Sequence, residues 1–290
     1  MLQVVRRILP ILAGIAACAC NQVDFRGLFM PTGDNVQSRF EESMEILSDL
    51  KAAEIDAHER YVFYVAADPH VITTHKNLDR FDDIFRNDAE ASFGIILGDC
   101  INLRDNFPEY LEALACYPER HAFDHPVFHL LGNHDTFFNG WDEFKELIGP
   151  SVYWFEVVFP EGKDLYIALD SASGTLGRKQ TQWLRAFLED NRSIYRHCVI
   201  LTHTNLFYTD NSQTGSGNMP IEESFSLIDF LGRHNVSLVL QGHDHYREDL
   251  TFDNVRYTVL GTIRDESDAP EYLKVHMNDE EIFLDWQLII

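Results

Sequence analysis

The sequence predicts an α/β fold, in which a parallel sheet with crossover helices is completed or faced by a second, mixed sheet. Two patterns carry this reading. From Tyr61 to about Leu131 the chain alternates strand-like and helix-like segments, the alternation of a parallel sheet with right-handed crossovers. After Arg256 the apolar runs are short, strand-like and separated by turn residues, which implies antiparallel pairing.

Taken in order, residues 1–20 read as an export signal. Arg6 and Arg7 precede Ile8 to Cys20, a stretch of apolar and small residues too short to span a bilayer and of the length of a signal-peptide core. Residues 21–35 read as a tether, and 36–290 as one catalytic domain. The spacing of Phe40, Met44, Leu47 and Leu50 predicts an amphipathic helix over 36–54. Tyr61–Ala67, Phe93–Leu97 and Pro126–Leu131 read as buried strands, with helices over 74–87 and 109–116 between them. Pro160 to Asp164 reads as a turn joining a hairpin of 152–159 and 165–169, and 178–188 as the next helix. The polar stretch 204–219 is long enough to act as a lid over a site. Arg256–Leu260, Tyr272–His276 and Ile282–Ile290 complete the strands.

A net charge of −24 argues against nucleic acid or an anionic membrane surface as partner, since either requires a basic face. Cys100, Cys116 and Cys198 are an odd number within the folded part, so no disulfide framework is expected; Cys100 reads as a small buried hydrophobe.

Five apolar runs end in residues able to bind metal or move protons: Asp68-Pro69-His70, Gly98-Asp99, Gly132-Asn133-His134-Asp135, His203, and Gly242-His243-Asp244-His245. Ligands of α/β sheets bind outside the carboxyl ends of strands, so these corners can converge on one site. Carboxylate, imidazole and amide oxygen together suit hard or borderline divalent ions. Asp170, at another strand end, is a candidate to support the ligands, and Asp244 reads as pointing outward or supporting its loop.

In this order the five blocks resemble the calcineurin-like metallophosphoesterase superfamily over about Tyr61 to Ile290. The resemblance implies a four-layer αββα sandwich of two mixed β-sheets flanked by helices, and a metal-dependent phosphoesterase. It implies two divalent metal ions, such as Mn²⁺, Zn²⁺ or Fe²⁺. Asp68, His70 and His245 would hold one ion and Asn133, His203 and His243 the other, with Asp99 bridging them. A metal-activated water or hydroxide would attack a phosphomonoester or phosphodiester of a small molecule or lipid headgroup. His134 would stabilise the transition state or protonate the leaving oxygen, and Asp135 would orient His134. Asn102 stands where purple acid phosphatases carry a tyrosine, so a tyrosinate-iron site is not expected. Gly-Asp-Cys-Ile-Asn and Gly-Asn-His-Asp depart from the protein Ser/Thr phosphatase motifs. The alternatives are a catalytically silent metal-binding scaffold for protein interaction and a metal-dependent nuclease, the latter disfavoured by the charge.

Ile15-Ala16-Ala17-Cys18, followed by Ala19-Cys20-Asn21, resembles the lipobox of bacterial lipoproteins. Lipidation at Cys18 or Cys20 would make this an exported, membrane-anchored lipoprotein facing the periplasm or the outside, touching membrane only through that anchor. Plain cleavage would instead make it secreted.

Overall fold

A computed structural model describes residues 35–48, 53–115, 124–207 and 218–290. The segments read as signal and tether, and 208–217 of the expected lid, lie outside the described residues. Twelve strands among the described residues form two sheets. The first holds seven, in the order β1 (Ala53–Asp56), β5 (Tyr153–Phe159), β6 (Gly162–Ala168), β7 (Cys198–Leu201), β8 (Leu238–Gln241), β10 (Val255–Val259), β9 (Glu248–Phe252). The second holds five, in the order β12 (Ile282–Leu288), β11 (Glu271–Met277), β2 (Tyr61–Ala66), β3 (Ala91–Ile96), β4 (Val127–His129).

Burial explains the layering. Every residue of β2 is buried, because both faces of its sheet are covered, and its sequence is accordingly an unbroken apolar run. Phe63, Val65, Phe93 and Ile95 point inward against Phe155, Tyr166, Val199 and Leu238 of the facing sheet. Phe63 and Phe93 stack with ring centroids 4.9 Å apart, and Tyr166 meets Phe63 edge-on at 5.5 Å. Outside the five-stranded sheet pack α2 (Lys76–Arg86), α3 (Phe107–Ala115) and α4 (Gly140–Leu147), through Phe81, Phe85, Tyr110 and Phe144. Outside the seven-stranded sheet pack α5 (Gly177–Asn191) and α6 (Ile221–Arg233), through Leu184, Leu188, Leu227 and Leu231. The expected αββα sandwich of two mixed sheets is therefore the fold.

The parallel half runs as expected, β2 beside β3 and β3 beside β4. Several details differ. The first helix, α1, covers Val36–Ser48, and Ala53–Asp56, including Glu54, forms strand β1 beside β5. Edge pairing there outweighs the helical stripe, because β5 offers an open ladder alongside it. The hairpin turn is tighter than expected: Phe159 pairs with Gly162, so only Pro160 and Glu161 turn, and Gly162 to Asp164 belong to β6. β10 joins β8 in parallel while pairing antiparallel with β9. Strand β9 and helices α4 and α6 have no counterpart in the sequence reading. Among the described residues no helix is long and apolar enough to cross a membrane.

Helix α1 is fixed to the sandwich by a buried fork-to-fork ion pair. Arg39 Nε and Nη2 donate to Asp170 Oδ2 and Oδ1 at 2.7 and 2.9 Å, and Ser151 Oγ donates to the same carboxylate at 3.0 Å. Removing one partner strands the other charge away from water. Arg39→Met is expected to lower stability by roughly 3–5 kcal/mol in urea unfolding, the range for breaking a buried pair; a change below about 1 kcal/mol, the ceiling for exposed pairs, would show the pair to be solvated.

Candidate metal centre

The five corners predicted from the sequence meet at one end of the sandwich, where β2, β3, β4, β7 and β8 finish. Their backbone is unusual. Asp68, His70, Asp99, His243 and His245 all have positive φ, between 45° and 72°. Few non-glycine residues adopt this left-handed region, and each instance costs on the order of 1 kcal/mol or more. The turns instead aim consecutive polar side chains inward from the strand ends.

Two glycines make room. A Cβ on Gly132 would lie 2.1 Å from the Asp99 amide nitrogen and 2.2 Å from Asp99 Oδ1. Gly98 has φ +90° and sits against Gly132 and the His203 ring, where a Cβ would fall 2.8 Å from His203 Nδ1. The two loops can approach this closely only because neither residue has a side chain.

Two ligand groups result. Asp68, His70, Asp99 and His245 form one and Asp99, His203 and His243 the other; within each, one ligand atom per residue lies within 4.8 Å of all the rest. Asp99 belongs to both. Its Oδ2 lies 3.5 Å from His70 Nε2, and its Oδ1 lies 3.4 Å from His203 Nε2. Asn133 joins the second group, its Oδ1 being 3.1 Å from His203 Nε2. His245 Nε2 stands 3.5 Å from Asp68 Oδ1.

The surroundings set which ring nitrogen faces the centre. His203 Nδ1 donates to the Leu97 carbonyl at 2.8 Å, which turns Nε2 toward Asp99 and Asn133. Its backbone N–H donates to Ser171 Oγ at 3.0 Å, so the loop pinned by the Arg39–Asp170 pair also seats this ligand. Asp170 thus supports the site through its neighbour Ser171 and not by touching a ligand. Asp68 accepts from the His243 amide at 3.0 Å, and Thr262 Oγ1 holds its carbonyl at 2.6 Å.

The donor set fits divalent cations. His70 Nε2 and His245 Nε2 stand 2.9 Å apart, and His243 Nδ1 and His203 Nε2 3.2 Å apart. Two ring nitrogens facing each other this way share at most one proton, and His243 Nε2 is buried with no protein partner. Burial, with His203 beside it, pushes His243 down to about 4; burial outweighs the neighbouring carboxylates and also takes His70 to about 4. Both rings are therefore neutral at physiological pH. Burial also opposes charge on His203, but the Asp99 carboxylate overrides it and raises that ring to about 10. Asp99 is itself buried, yet the adjoining His203 holds it well below the usual carboxylate range. Without a cation, a proton on His203 neutralises part of the carboxylate charge.

His134 and Asp135 take different places. The His134 amide donates to Asp99 Oδ1 at 2.8 Å, and its ring packs edge-on to His70 at 4.6 Å. Asp135 does not orient it. The buried Asp135 carboxylate accepts from the Gly132 and Ile101 amides at 2.8 and 3.2 Å, tying the two ligand loops together. His134 Nδ1 instead donates to the Asn102 carbonyl at 3.1 Å. Burial, with Asp99 nearby, lifts Asp135 to about 7.

Asp244 is fully buried and does not point outward; it accepts from Asn205 Nδ2 at 2.7 Å and so takes the loop-supporting role of the two expected for it. Cys100 is a buried free thiol, pushed well up by that burial. Ser171, Thr262 and the Asn102 carbonyl have no recognisable sequence signal, because each acts through a contact distant in the chain.

The family model described as calcineurin-like phosphoesterase matches residues 61–247. No curated protein matches the sequence. Solved structures with the same fold include a dimetal phosphatase from Danio rerio, 13% identical with TM-score 0.58, covering 79% of this chain and 96% of that one. GAP50, the anchor in the inner membrane complex of Plasmodium, is also 13% identical with TM-score 0.58, covering 79% and 85%. A purple acid phosphatase from yellow lupin (Lupinus luteus) is 13% identical with TM-score 0.60, covering 80% of this chain and 52% of that one.

Two outcomes are expected at this centre. Gly132→Ala should displace Asp99 and cut bound metal, read by elemental analysis, while the circular dichroism spectrum stays native; full metal content would show that the loops can part. Metal loading at pH 7 should expel the His203 proton, so apparent affinity should climb about tenfold per pH unit below pH 10. Calorimetry in buffers of different ionisation enthalpy reads that proton, and a pH-independent affinity would contradict it.

Proposed function

We infer that this chain, which belongs to the calcineurin-like phosphoesterase family and is a metal-dependent phosphoesterase, holds two divalent ions and hydrolyses small phosphoesters. The observation that carries the dinuclear reading is the sharing of Asp99 between two adjoining ligand groups. Asp68, His70 and His245 would complete one ion's shell and Asn133, His203 and His243 the other's. Carboxylate, imidazole and amide donors suit Mn²⁺, Zn²⁺ or Fe²⁺. When bound, such ions neutralise phosphoryl oxygens and supply an activated water for in-line displacement.

Charge favours a phosphate guest. Two bound divalent ions would bring four positive charges against the two negative charges of Asp68 and Asp99, so an electropositive pocket would form inside a protein of net charge −24. That exterior disfavours long polyanions, which argues against a nuclease. His134 contributes the proton chemistry. With Nδ1 donating to the Asn102 carbonyl, Nε2 is left to serve a phosphoryl or leaving oxygen. Its amide on Asp99 Oδ1 ties the ring's position to the shared ligand. Export, with lipidation at Cys18 or Cys20 as the anchor, is our proposal for location on the strength of residues 6–20.

Turnover of p-nitrophenyl phosphate and bis-p-nitrophenyl phosphate, with Mn²⁺, Zn²⁺ or Fe²⁺ supplied, tests the reading and chooses between monoester and diester. In His134→Ala, kcat should fall by about 10²- to 10⁴-fold with metal content retained, the usual worth of a positioned acid or base. Unchanged turnover would remove His134 from the mechanism. No turnover of either ester in fully loaded protein would favour the silent scaffold.

A further inference from the structure

We propose that exposed apolar side chains on the loops around His134 form a subsite for the alcohol portion of the substrate, so that the esters taken carry an apolar group on the leaving oxygen. This rests on the phosphoesterase reading and deepens it. Single exposed hydrophobics are ordinary on protein surfaces. Here four of them lie on three ligand-bearing loops: Ile72 is 43% exposed, Leu103 43%, Phe137 38% and Phe138 73%. Ile72 comes just after His70, Leu103 after Asp99, and Phe137 and Phe138 after Asn133 and His134.

Hydrogen bonds gather the three loops into one rim. Val71 bridges to Ile101, and the Asn102 amide donates to the Val71 carbonyl at 3.1 Å. Asn106 Nδ2 donates to the Ile72 carbonyl, and its Oδ1 accepts from the Leu103 amide, both at 3.0 Å. The Asn102 carbonyl then holds His134 Nδ1. The His134 ring lies 4.6 Å from the ring of the ligand His70 and 4.7 Å from that of Phe137. His134 thus stands between the metal centre and the rim. A substituent on an oxygen served by His134 would meet the Phe137 ring, which packs against His134.

The polar groups of the rim argue for the same class. Arg104 is engaged by Glu143 Oε1 at 2.5 Å, and Asp105 is exposed on the same turn. An anionic alcohol, such as one bearing a second phosphate, would meet the Asp105 charge here. An alkyl or aryl group would cover apolar surface at about 25 cal/mol per Å².

Calorimetry of hexylphosphonate beside methylphosphonate on metal-loaded protein tests this without requiring turnover. In wild type, monomeric hexylphosphonate is expected to bind about tenfold tighter, the worth of burying roughly two methylenes. The advantage should shrink below about threefold in Ile72→Ser/Leu103→Ser and persist in Phe283→Ser, whose exposed ring lies on β12. Equal affinity of the two ligands in wild type would overturn the subsite while leaving the phosphoesterase reading intact. An undiminished advantage in the double variant would also overturn it. A gain seen only with an alkylphosphonate embedded in phosphatidylcholine vesicles would overturn it and assign the rim to a bilayer surface. Failure of both phosphonates to bind loaded protein would contradict both readings.

Discussion

The Asp99 carboxylate is the constraint around which the centre is built. One oxygen faces His70 and the other faces His203, so the same side chain belongs to both candidate ligand groups. It can do so only because β3 and β4 end side by side and their loops touch through Gly98 and Gly132. The Asp135 carboxylate then ties those loops by accepting from Gly132 and Ile101. On the other side of the cleft, the end of β7 delivers His203 and the turn after β8 delivers His243. The two sheets must therefore keep their spacing for the site to exist, and the inter-sheet aromatic packing of Phe63, Phe93, Phe155 and Tyr166 serves that end.

This arrangement is costly for the apoprotein. Five candidate ligand residues have left-handed backbone, two carboxylates are buried within reach of each other, and facing imidazole nitrogens compete for protons. Each feature is unfavourable alone, and a bound cation relieves the last two together. Binding energy from divalent ions would then appear as stability of this end of the sandwich. The distant Arg39–Asp170 pair contributes from outside, since it fixes the loop whose Ser171 accepts the His203 amide.

Much of the candidate site was legible in the sequence because its residues sit at strand ends. A buried strand announces itself as an apolar run, and in an α/β sheet the residues just past its carboxyl end face the cleft. Asp68, Asp99, Asn133, His203 and His243 are all found this way. The supporting contacts were not legible, because they join segments far apart in the chain: Thr262 meets Asp68, Ser171 meets His203, and the Asn102 carbonyl meets His134. Adjacency misled in one case. Asp135 is the immediate neighbour of His134, yet the tight 3-10 turn over His134–Thr136 sends its carboxylate to the Gly132 and Ile101 amides. Strand β1 was hidden for a related reason, since its partner β5 lies about a hundred residues away and local periodicity favoured a helix.

Metal stoichiometry in Asp99→Asn beside wild type, read by elemental analysis after dialysis against Mn²⁺ or Zn²⁺, probes the shared carboxylate itself. Two ions per wild-type chain are expected, with loss of at least one from the variant while the fold is kept. One ion in wild type, or two retained in Asp99→Asn, would contradict a centre organised on a shared carboxylate.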